Sequence, residues 1–183
     1  MRVGFIGLGN VGAKLAGSLL RNGADLIVRD LDKSAAQPLL DAGAAWGESP
    51  ATMTEQVDLM ITCLPSPAIS AAVVEGDDGI LSTLKPGQMW AEMSTTDEAE
   101  IRRLGAKVLA AGGEPIDCPV SGGCHRADTG NIAIFAGCER STFERALPVL
   151  TTMGRRILHT GELGSASMLK VMTNYLATAN LVT

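Results

Sequence analysis

The six residues Gly7-Leu8-Gly9-Asn10-Val11-Gly12 constrain this chain more than any other feature. The segment before them, Arg2–Gly7, is apolar enough for a buried strand, and Val11–Asn22 after them has the apolar period of a helix. In a strand–turn–helix of this form the first glycine makes the tight turn and the third lets helix and strand pack closely. The second leaves the backbone open to an approaching group. Such a unit must have neighbours on both faces, and the remaining sequence supplies them. Further strands are predicted at Asp25–Asp30, Val57–Leu64, Gln88–Met93 and Glu114–Cys118, with shorter ones at Ile132–Ala136 and Arg156–Thr160. Helices are predicted near Lys33–Ala42, Ala68–Val74, Asp97–Ala111 and Ser141–Thr151. Several strands are apolar on consecutive residues, as strands covered on both faces are. The alternation implies an α/β fold with a doubly wound, mostly parallel sheet of the Rossmann type. The 21 glycines suit its many strand–helix turns.

Several partners are excluded by composition. Net charge is −5 and only 3% of residues are aromatic, so a nucleic-acid backbone and its bases would find few contacts. No apolar run is long enough to span a membrane. Cys63, Cys118, Cys124 and Cys138 form no C-x-x-C pair and lack zinc-ligand spacing, so reduced thiols and no metal are expected. His125 and His159 read as a loop residue and a strand-end residue. The N-terminal residues already form a strand, so no targeting segment is expected within the chain, and a cytoplasmic protein is the default.

The glycine turn opens a helix whose N-terminus offers unpaired N–H groups and a positive dipole end to phosphates. Asp30 ends the second strand, where a carboxylate would accept hydrogen bonds from ribose hydroxyls and repel a 2′-phosphate. Leu31 stands where an arginine would favour NADP, and Arg29 should point to the other face of its strand. NAD is therefore the expected cofactor, held by Gly7, Leu8, Gly9, Asn10, Val11, Gly12 and Asp30. An S-adenosylmethionine site is the rival nucleotide reading, but Val3-Gly4-Phe5-Ile6 lacks the acidic residue that such sites carry before their glycines.

Four more segments line up along the chain. Cys63-Leu64-Pro65-Ser66-Pro67, Met93-Ser94-Thr95-Thr96 and Asp117-Cys118-Pro119-Val120-Ser121-Gly122-Gly123 each follow a predicted strand, where ligands of open parallel sheets bind. Lys170 and Asn174 lie one turn apart on the last predicted helix. A lysine in an apolar stretch can move protons near neutral pH, because burial lowers its pKa. This set resembles the 3-hydroxyisobutyrate dehydrogenase, or β-hydroxyacid dehydrogenase, family, to which 6-phosphogluconate dehydrogenase is related. The resemblance implies hydride transfer between NAD and a small β-hydroxy acid, with Lys170 as the catalytic residue. It implies that Ser121, Gly122, Gly123 and Asn174 bind the substrate, whose carboxylate meets the serine hydroxyl and glycine N–H groups. It places Leu64, Pro65, Ser94 and Thr95 beside the cofactor. Semialdehyde reduction, with NADP possible, is the enzymatic alternative; an imine reductase or a non-catalytic nucleotide-binding module would lack Lys170. Arg126 and Asn131 depart from the family pattern of a glycine and a threonine at these positions, which bears on the substrate's identity.

From Ser165 onward Ala166, Met168, Leu169, Met172, Leu176, Ala179 and Val182 recur at helical spacing. Residues 1–163 are therefore expected to be the NAD-binding domain, and 164–183 the start of an interdomain helix leading to an all-helical domain outside this chain. Without that domain Lys170 is expected to face water, and the exposed apolar helix face to drive self-association; a homo-oligomer, dimer or tetramer, is expected of the protein.

Overall fold

The computed structural model describes residues 1–182, the side chain of Val182 excepted. The predicted place of Val182 in the apolar series of the last helix thus lies outside the described residues. The first half of the chain runs β1 (Arg2–Ile6), α1 (Gly12–Arg21), β2 (Asp25–Arg29), α2 (Lys33–Asp41), β3 (Ala45–Trp46), α3 (Pro50–Thr54), β4 (Leu59–Thr62) and α4 (Pro67–Glu75). A short 3-10 turn at Ile80–Ser82 leads to β5 (Met89–Glu92), α5 (Glu98–Ala110), β6 (Glu114–Asp117) and β7 (Val120–Ser121). The chain closes with α6 (Gly123–Asp128), β8 (Ile132–Gly137), α7 (Arg140–Met153), β9 (Gly154–Gly161) and α8 (Ser165–Val182).

The strands form one sheet in the order β3-β2-β1-β4-β5-β6-β8-β7, with β9 on the free side of β8. From β3 to β6 every pairing is parallel. The order reverses beside β1, which lies between β2 and β4, so the helices of the two halves diverge there and open a crevice at the strands' C-terminal ends. β6 and β7 lie end to end, interrupted at Cys118 and Pro119, and both pair antiparallel with β8. A six-residue helix, α6, makes that reversal; a parallel return needs a longer crossover.

Two apolar layers cover the sheet. Leu15, Leu19, Leu39, Phe143 and Leu150 of α1, α2 and α7 pack on one face with Phe5 and Val28. Met53, Val74, Ile101, Leu104 and Val108 of α3, α4 and α5 pack on the other with Ile27, Met60 and Trp90. The central strands β4 and β5 are buried at every position, as expected of strands covered on both sides. The elements that periodicity did not predict are β3, α3, β7 and α6, each too short to show a period. His125 consequently lies in α6 rather than in a loop.

Candidate active site

The crevice at the switch point is a cavity of about 1080 Å³, above the roughly 300–1,000 Å³ usual for small-molecule sites. Its floor is the glycine turn. Gly7 has φ +99°, and a Cβ there would lie 2.2 Å from the carbonyl oxygen of Cys63, just past the end of β4. A Cβ on Gly12 would lie 1.9 Å from the carbonyl oxygen of Gly7. Only glycine fits at either place, so α1 begins in backbone contact with the end of β1. The Cβ position of Gly9 meets nothing within 4 Å; it borders open cavity, as does Asn10. Leu8 is different: its side chain is buried in the core, and its N–H donates to Asp30 Oδ2 at 2.6 Å.

Asp30 therefore does more than end β2. Its Oδ1 accepts from the N–H of Asp32 at 3.0 Å, so the carboxylate ties the glycine turn to the start of α2 while lining the cavity. Each oxygen retains a lone pair for a hydroxyl donor. Leu31 beside it is exposed. Arg29 departs from the sequence expectation, since it too borders the cavity. Its guanidinium donates to the carbonyl oxygens of Gly47 and Glu48 and lies over the Trp46 ring. These acceptors at the end of β3 hold it there.

The opposite wall is made by the turns after β4 and β5. Leu64, Pro65, Ser94 and Thr95 all line the cavity. The two turns are joined, because the Leu64 N–H donates to Ser94 Oγ at 2.6 Å. Beneath them lies a residue that the strand pattern of Gln88–Met93 concealed. Glu92 is 1% exposed; it accepts from the Ser94 N–H at 2.9 Å and from Thr62 Oγ1 at 3.0 Å. Thr62 Oγ1 in turn accepts from the buried Trp90 Nε1–H. Burial raises the pKa of Glu92. A carboxylate at the end of an otherwise apolar strand was the signal that could have marked it.

At the far end of the cavity stand Val120, Gly123, Ile132 and Lys170. Lys170 is only 9% exposed, and burial lowers its pKa. This corrects the expectation that it faces water, for the first turns of α8 lie on the ends of β6, β8 and β9 and leave its side chain in the cavity wall. Asn174 is exposed, because α8 has by then left the sheet. Ser121 and Gly122 flank the cavity without lining it, and of the serine–glycine segment only Gly123 reaches the wall.

Among the described residues no group of three or more His, Cys, Asp or Glu could hold a metal ion, and no helix is long and apolar enough to cross a membrane. The open backbone at Gly9, the N-terminus of α1 and the Asp30 carboxylate fit the phosphates and ribose of a dinucleotide, so fold and crevice define a Rossmann-type dinucleotide-binding domain. Residues 2–161 match the model of the NAD-binding domain of 6-phosphogluconate dehydrogenase, and the chain belongs to that family. It is 35% identical over 180 residues to the mitochondrial 3-hydroxyisobutyrate dehydrogenase of Rattus norvegicus, covering 98% of this chain and 54% of that enzyme. It is 35% identical over 175 residues to the NAD-dependent L-serine dehydrogenase of Pseudomonas aeruginosa, covering 96% of this chain and 59% of that protein. The structure of Mycobacterium tuberculosis 3-hydroxyisobutyrate dehydrogenase with L-serine superposes with a TM-score of 0.89 at 30% identity, covering 97% of this chain and 60% of that one. The chain thus spans little more than half the length of these relatives.

Proposed function

We propose that this chain is the cofactor-binding part of an NAD-dependent β-hydroxyacid dehydrogenase acting on a small 3-hydroxyisobutyrate-like substrate. The observation that carries the reading is a buried lysine in the wall of the same cavity whose floor is the dinucleotide turn. Bound nicotinamide supplies the hydride acceptor or donor. Lys170 holds the proton: with its pKa lowered by burial, its neutral amine takes the hydroxyl proton as the substrate is oxidised, and its ammonium returns it in reduction. Ser121, Gly122 and Gly123 bind the substrate carboxylate, the two glycines through N–H groups that form an anion nest. Asn174, one turn beyond Lys170, orients the substrate once a covering element brings it to the site. The cofactor is NAD rather than NADP, since Asp30 repels a 2′-phosphate and Arg29 is held by carbonyl oxygens.

Residues 1–163 form the NAD-binding domain in this reading, and 164–183 begin an interdomain helix continuing into an all-helical domain. The exposed Met168, Met172, Tyr175 and Leu176 of α8 support that arrangement. A homo-oligomer, dimer or tetramer, and a cytoplasmic location complete the proposal; light scattering and fractionation of the full-length protein test them.

The test of function is turnover of a panel of β-hydroxy acids by the full-length enzyme with NAD and with NADP. The expected result is NAD-preferring oxidation that Lys170→Ala reduces by roughly 10²-fold or more, with NADH affinity unchanged. Near-normal turnover in that variant returns Lys170 to a structural role.

A further inference from the structure

The buried acid Asp117 is not among the residues assigned above, and it makes a contact that bears on the chemistry. It is the last residue of β6 and has no solvent exposure. Its Oδ2 accepts from the Ser167 N–H and its Oδ1 from Ser167 Oγ, both at 2.7 Å. Ser167 is itself 2% exposed and lies in the first turn of α8.

A helix leaves its first N–H groups without partners, and a side chain just before the helix usually takes one of them. Here Gly164 occupies that place and has no side chain to offer. Ser165, next along, turns its hydroxyl back to the Glu162 carbonyl and to Thr160. The cap comes instead from a carboxylate 50 residues earlier in the chain. A negative charge at a helix N-terminus is also favoured by the helix dipole. The same turn is pressed onto the sheet at Gly137, whose Cβ position lies 2.7 Å from the Glu162 carbonyl oxygen and 3.2 Å from the Ala166 nitrogen.

Lys170 follows Ser167 by three residues, so the two share a side of the helix. Beyond Lys170, from Val171 to Leu181, α8 is exposed at every position except Thr173. Its first turn and a half is therefore what joins it to the domain. A hinge or roll of that turn carries Lys170 with it, and misplacement of a reacting group by about 1 Å can cost roughly 10²-fold in rate.

We propose that Asp117 is a positioning residue, whose paired contact with Ser167 sets the seating of α8 and so the place at which Lys170 enters the cavity. The inference rests on the assignment of Lys170 to proton transfer. Its test is a double-mutant cycle in the full-length enzyme with Asp117→Ala, Lys170→Ala and both together. NADH titration accompanies each variant and counts folded sites. Asp117→Ala is expected to lower kcat by about 10²-fold with NADH affinity within twofold. It should also move the lysine limb of the kcat–pH profile upward, as Lys170 gains water. In the Lys170→Ala background the same change should cost less than about threefold, because the group it positions is gone. Asp117→Asn can accept the Ser167 N–H through its oxygen and donate to Ser167 Oγ, so it should recover most of kcat. An undiminished kcat in Asp117→Ala, or an equal loss in both backgrounds, overturns the proposal. If Asp117→Ala yields no folded protein, Ser167→Ala, which removes one of the two contacts, is read in the same cycle with a smaller expected loss. Near-normal turnover in Lys170→Ala alone is the separate result that removes the assignment on which this inference stands.

Discussion

The two ends of the cavity are built by different means. At the glycine turn, close backbone approach decides position: Gly12 lies against the Gly7 carbonyl within the same motif, and Gly7 against the Cys63 carbonyl just past the adjacent strand. The contact is backbone on backbone, so there is almost nothing to relax. At the lysine end, position depends on residues far apart in sequence, on Asp117 holding Ser167 and on Gly137 receiving the start of α8. The glycine end is fixed mainly by exclusion, and the lysine end needs a long-range attraction as well. Exclusion leaves a motif in the sequence; attraction between distant residues leaves only single letters whose partners are not evident.

The contrast predicts unequal tolerance to substitution. Gly12→Ala places a Cβ against backbone that cannot withdraw, and should weaken NADH binding by roughly 10²-fold or more, about 3 kcal/mol. Calorimetric titration reads this directly. An affinity within a few-fold of wild type would mean that α1 can shift and that the glycine end is no more rigid than the lysine end.

A smaller effect is expected at the same end from Asp30→Asn. The amide can keep the Leu8 N–H bond through its oxygen but forgoes one of the two present contacts and all of the charge. The ratio of NADPH to NADH dissociation constants should fall several-fold. An unchanged ratio in parallel titrations would assign Asp30 to loop tethering alone.

The smallest effect belongs to Glu92, which lies between the two ends. Its pKa is raised by burial from the ordinary 4.5, so the folded protein keeps a proton that the unfolded chain releases. Stability therefore falls as pH rises from about 4.5 through the folded-state value and is level above it. Glu92→Gln can keep the Ser94 N–H bond and donate to Thr62, and should remove this dependence. The variant should melt at or above the wild-type temperature at pH 8, with the gap closing as pH falls toward 4.5. A variant less stable than wild type at pH 8 would show that the charge itself holds the two turns together.

The same division explains how much could be read from the sequence. Strand–helix alternation and the glycine spacing sufficed for the fold, because each long element carries its own period. Thr62, Glu92 and Asp117 pair across the C-terminal ends of neighbouring strands, yet nothing local relates them. The burial of Lys170 departs from the expectation for a related reason. Periodicity assigns α8 an apolar face but does not say that its first turns are already seated on the sheet. Asn174, four residues later, lies beyond that seat and is exposed.

The bond from the Leu64 N–H to Ser94 Oγ, with the Ser94 N–H held by Glu92, has a consequence for motion. The Leu64 N–H can meet solvent only when the Ser94 turn withdraws, and Glu92, which holds the Ser94 N–H, is itself bound by Thr62 at the end of β4, so the two turns should open as one cooperative unit. In amide exchange these two hydrogens should then leave at a common rate, slower than those of the exposed loop at Asp77 and Asp78. The wall at this point behaves as a single jaw, although it is made from two loops thirty residues apart.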